Sequence, residues 1–98
     1  MVNSWGLNDA RSGFGTAVFN DDLFVVGGNS GEELLNTFER YSQYEGVWKK
    51  LDSMNERRDE LAVTVGRDSR IYAIGGFGGS ENTCLRSVER YDPITRKW

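Results

Sequence analysis

Histidine is missing from this 98-residue chain altogether, and cysteine and proline occur once each, as Cys84 and Pro93. Without histidine there is no Ser-His-Asp or Cys-His catalytic arrangement and no histidine-based metal site. A lone cysteine forms no internal disulfide, which points to a reducing compartment. The opening "MVNSWGLNDA" lacks the basic start and apolar stretch of a secretory signal. The expected location is therefore cytoplasmic. No apolar run approaches the length that crosses a bilayer, so a membrane is not an expected partner. Nor is nucleic acid, because 12 Lys and Arg stand against 15 Asp and Glu for a net charge of −3, and phosphate contacts need clustered cations. With 38% apolar and 28% charged residues the composition is that of an ordinary globular chain, long enough for one small domain at most.

Glycine, by contrast, occurs twelve times, often in doublets that end apolar runs. "LFVVGG" (Leu23 to Gly28) and "IYAIGG" (Ile71 to Gly76) are β-branched and aromatic runs too short for helices, each stopped by a glycine pair. Upstream of each lies a looser apolar segment, "GFGTAVFN" or "ELAVTVGR", then polar residues suited to a hairpin turn, "DD" (Asp21 and Asp22) or "DSR". Downstream, "LNTFERYS" and "LRSVERYD" alternate as a strand with one buried face, followed by a short strand carrying a Trp.

The two halves align with small, ordered drift. The offset is 47 from Arg11 to Arg58, 48 from Gly28 to Gly76, and 50 from Tyr41 to Tyr91 and from Trp48 to Trp98. It grows only in the inferred loops, as a repeated structural unit drifts. Four short strands in a period near 50 describe one blade of a β-propeller.

The order Arg, apolar strand, Gly-Gly, Glu-Arg-Tyr-Asp-Pro and Trp resembles the Kelch repeat from Arg11 to Trp98. The second copy keeps "VERYDP" intact, whereas in the first Ser42 and Gln43 replace Asp and Pro. "NSW" (Asn3 to Trp5) is similar to the end of a previous repeat. The expected fold is all-β: two four-stranded antiparallel blades of a Kelch-type propeller, the second truncated in its last strand. Residues 1–10 are read as the end of a preceding blade and a linker, 11–57 as the first blade and 58–98 as the second. Two blades leave an apolar face at each end, so the chain is expected either to belong to a longer propeller or to associate with copies of itself.

Structural roles are assigned to the repeated residues. Gly27, Gly28, Gly75 and Gly76 suit backbone conformations closed to other residues. Tyr41, Trp48, Tyr91 and Trp98 are expected as large payload between adjacent sheets. Arg11 and Arg58 can anchor loops or bind an acidic partner. Cys84 is expected to be partly buried and inert, and "GGFGGS" to be a flexible loop rather than a phosphate loop, since it lacks the required spacing and Lys. No catalytic residue, metal ligand or cofactor is expected.

The resemblance implies a binding face built just after the Gly-Gly pair and just after the repeat-opening Arg. Those positions are Ser12, Gly13, Asn29, Asp59, Glu60 and Phe77. It also implies a protein partner, as for the substrate-recognition module of a BTB-Kelch adaptor of a Cullin-type ubiquitin ligase. Attachment to actin or another cytoskeletal protein is a second implied role. A piece of a propeller enzyme, an oxidase or sugar-processing protein, is a third.

Overall fold

In a computed structural model, which describes residues 10–98, each apolar run pairs with its neighbour along the chain. The first blade is a four-stranded antiparallel sheet in the order β1 (Gly15–Phe19), β2 (Asp22–Val26), β3 (Phe38–Ser42) and β4 (Val47–Leu51). Ala17 opposes Phe24, Val26 opposes Phe38 and Phe38 opposes Leu51, so one face of the sheet is apolar. The β1–β2 turn is Asn20-Asp21, both at positive φ (51° and 67°), and Asp22 already belongs to β2. This moves the turn one residue back from the "DD" expected, because two left-handed residues match the twist of the flanking strands.

The second blade repeats the pattern. β6 (Ala62–Val65), β7 (Ile71–Ile74) and β10 (Val88–Tyr91) form a sheet in which β7 is central, and the single bridge Asp92–Lys97 takes the place of a fourth strand. Between them β5 (Arg58–Asp59), β8 (Phe77–Gly78) and β9 (Thr83–Cys84) make a small separate sheet. Phe77 and Gly78 of "GGFGGS" are thus paired strand rather than flexible loop. Single bridges Ser12–Asn29 and Asn29–Leu34 are the first blade's version of the same sheet. The expected end of a preceding repeat, Asn3 to Trp5, lies outside the described residues.

The blades meet face to face, with β1 beside β6. Phe24, Val26 and Phe38 of the first pack with Ile71, Ala73 and Tyr91 of the second, and Met54 and Leu61 of the connecting segment complete the core. Phe38 is the centre: its ring lies 4.7 Å from that of Tyr91 and 5.0 Å from that of Trp98, both edge-on. Trp98 also donates from Nε1 to the Asp52 carbonyl at 2.8 Å, which fixes the ring. Tyr91 and Trp98 therefore lie between sheets. Tyr41 and Trp48 pair with each other at 5.2 Å on the opposite face of the first blade, away from the second, and are half-buried.

Candidate loop-end binding face

Two buried arginines hold the loops at one end of the blades. Arg11 donates to the Gly27 carbonyl at 2.9 Å, the Thr37 carbonyl at 3.3 Å and Glu39 Oε2 at 2.6 Å. Arg58 repeats this a blade later, with Gly75 and Ser87 carbonyls at 2.9 Å each, Ser87 Oγ at 2.8 Å and Glu89 Oε2 at 3.2 Å. Both arginines are 0% exposed, so they tie loop to sheet and do not meet a partner. Each guanidinium satisfies carbonyls that a loop would otherwise leave unpaired. Glu89 does further work, because its carboxylate accepts from the backbone of Asn55 (2.7 Å) and Glu56 (3.0 Å), locking the connection between blades.

Adjacent strands are antiparallel. The starts of β1 and β3 therefore share an end with the close of β2 and β4, and the loops after each Gly-Gly pair gather there. The six candidate positions come together at this end. Ser12 and Asn29 exchange backbone hydrogen bonds of 3.0 and 2.8 Å. Asn29 Nδ2 donates to Asp59 Oδ1 at 3.1 Å, and Asp59 pairs with Phe77 between β5 and β8. The Glu60 amide donates to the Gly13 carbonyl at 2.8 Å. Gly13 and Glu60 occupy equivalent places and the same left-handed conformation, with φ of 66° and 53°. Phe77 stays 41% exposed.

Beside this ladder a groove of about 430 Å³ is lined by Asn29, Glu32, Glu33, Leu34, Arg57 and Asn82. Arg57 spans it, donating to the Leu34 carbonyl at 2.9 Å and facing Glu33 at 3.6 Å. Arg57, Glu33 and Asn82 lie far apart along the chain, and nothing in the sequence brought them together as one groove. Glu89 was legible only as a recurrence of Glu39. Cys84, expected to be partly buried, is exposed. It sits in β9, at the rim of the small sheet rather than in a blade, where no second layer covers it. Among the described residues no group of three or more His, Cys, Asp or Glu is placed to hold a metal ion.

A family model described as "Kelch motif" matches residues 10–55 and again 61–98. The chain belongs to the Kelch family. Its similarity to Kelch-like protein 23 of Mus musculus is 32% identity over 99% of the chain and 17% of that protein. Kelch-like protein 36 of Rattus norvegicus is 35% identical over 99% of the chain and 16% of its own length. The human Kelch repeat and BTB domain-containing protein 13 is 36% identical over 86% of the chain and 18% of its own length. The chain thus spans less than a fifth of these relatives. Among solved structures, a fungal alcohol oxidase of the AA5 family in complex with copper superposes with a TM-score of 0.73 over 90% of the chain and 18% of the oxidase. At 22% identity that likeness shows the Kelch propeller fold and carries no chemistry.

Proposed function

We propose that the Kelch repeats bind a protein through the loop end, as part of the substrate-recognition module of a BTB-Kelch adaptor of a Cullin-type ubiquitin ligase in the cytoplasm. The observation that carries the binding role is the convergence of Ser12, Gly13, Asn29, Asp59, Glu60 and Phe77 into one hydrogen-bonded ladder beside an open groove. Rigid sheets hold the ladder, and its side chains differ between the blades. That is how a repeat fold separates stability from specificity. The face is acidic, since Glu32, Glu33, Asp59 and Glu60 outnumber Arg57, and it suits a partner segment carrying Lys or Arg beside an apolar side chain for Phe77. The adaptor role rests on the likeness to Kelch-like proteins, one of which is named for a BTB domain.

Capture on the immobilised chain, compared across wild type, Phe77→Asp and Glu60→Arg, tests the reading. Proteins retained by wild type should be lost with both variants and recovered with a Val18→Thr control away from the loops. Identical captures in all four samples would remove the loop end as the binding face. Co-sedimentation with actin filaments, lost in the same two variants, would favour the cytoskeletal role over the ligase role.

A further inference from the structure

On the other side of the molecule, between the outer strands of the two blades, lies a cleft of about 320 Å³ that shares no residue with the loop-end face. Phe24, Leu51, Tyr91 and Pro93 make the apolar part of its wall, and Arg40, Lys49 and Arg96 line the rest as cations, beside Lys50, which opposes Glu39 in register on the other face of the sheet. In a chain of net charge −3, such a local concentration of positive charge stands out. Two of the cations have carboxylate neighbours: Asp22 lies 3.7 Å from Arg40, and Glu45 lies 2.8 Å from Lys49. Arg96 has none among the described residues.

Arg40 carries a second observation. Its Nε is shut away from solvent and makes no hydrogen bond, because Asp22 at 3.7 Å is beyond hydrogen-bonding reach. A buried donor left unpaired is costly, and an acceptor entering the cleft would satisfy it. Burial raises the Tyr91 hydroxyl above its usual range against the pull of Arg96 and Arg40, so at neutral pH it remains an O–H donor beside two cations. Carboxylates already occupy the flanks of Arg40 and Lys49. What the arrangement lacks is an anion with several oxygens, able to accept from two guanidinium groups and an ammonium together.

We propose that this cleft binds a phosphate monoester carried on an aromatic ring. Arg96 and Lys49 supply charge at its mouth, Arg40 donates from within, and the Phe24–Tyr91 wall receives the ring. The site is independent of the loop-end face and takes a ligand of opposite charge.

Calorimetric titration of the chain with phenyl phosphate, a phosphotyrosine peptide and inorganic phosphate tests this. Both aromatic esters should bind more tightly than inorganic phosphate, and the tighter of the two tells a small molecule from a polypeptide source. Arg96→Gly should weaken phenyl phosphate binding about tenfold. That variant keeps its fold, because residue 96 sits at φ 62°, where glycine is at ease. Glu45→Gln, which releases Lys49 from its competitor, should tighten binding by about threefold. Absence of binding, equal affinity for inorganic phosphate, or indifference to both substitutions would each overturn the proposal.

Discussion

Arg58 shows why one residue can matter more than the strand it opens. Its guanidinium is fully buried, bonds two carbonyls and a hydroxyl, and faces Glu89, so removing it leaves loop carbonyls unpaired and takes the cation from a carboxylate that then keeps only its bonds to Asn55 and Glu56. Arg58→Ala is expected to cost about 3–5 kcal/mol in urea unfolding, the range for breaking a buried pair. The glycine doublets follow a steric argument. At Gly28 (φ 98°) an added Cβ would lie 2.4 Å from the Ser12 carbonyl oxygen, and at Gly76 (φ 91°) 2.6 Å from that of Asp59. Backbone cannot give way there. Gly28→Val and Gly76→Val should each lower stability by about 3 kcal/mol or more, and an unchanged thermal midpoint in both would refute the argument. Glu60 runs the other way. It holds the left-handed conformation that Gly13 takes in the first blade, at a strain of about 1 kcal/mol, so Glu60→Gly should stabilise the fold by up to about that amount. If it also weakens partner capture, stability and recognition are in conflict at this position.

At the level of elements, the strands were legible because alternation, glycine doublets and the repeated Glu-Arg-Tyr mark them locally. The small sheet of β5, β8 and β9 was not, since two-residue strands carry no periodicity and Arg58–Asp59 finds Phe77–Gly78 only through tertiary closure. For the same reason the groove residues could not be read in advance. The Asp92-Pro93 turn was visible as a motif, and the structure supplies its physics. The Asp92 carboxylate accepts from the Ile94 amide at 2.9 Å, and that hydrogen bond, more than the nearby Arg70, holds it below the usual carboxylate range. Asp68 is likewise held down, chiefly by the Tyr72 hydroxyl. Because both folded-state values are depressed, their stabilisation is present above the unfolded value of about 3.9 and is lost as pH falls through the folded values. Denaturation midpoints should therefore be flat near neutrality and decline below about pH 4. Asp92→Asn should be less stable at pH 7 and show a shallower acid decline. A parallel decline in the variant would place the effect elsewhere.

For the whole molecule, the internal repeat turns the blade interface into a template. Phe24, Val26 and Phe38, buried where the first blade meets the second, correspond by offsets of 48, 48 and 50 to Tyr72, Ile74 and Val88. Register places these three together on the far face of the second blade, since Ile74 opposes Val88 and Tyr72 opposes Arg90. Where Val26 and Phe38 are 0% exposed, Ile74 and Val88 are 39% and 53% exposed. The second blade thus presents the same half-interface that the first has already covered, and a face built for a neighbouring blade does not remain wet at no cost. The purified 98-residue chain should consequently associate at micromolar concentration, seen by sedimentation, or bind an exposed-surface dye. Ile74→Lys combined with Val88→Glu should suppress both while leaving the far-ultraviolet spectrum unchanged, because neither side chain supports the core between the two blades. The replacements also put opposite charges at opposed positions on the sheet, where they support pairing. A monodisperse wild-type monomer that unfolds cooperatively and ignores the dye would show that two blades are self-sufficient, contrary to what their equivalence demands.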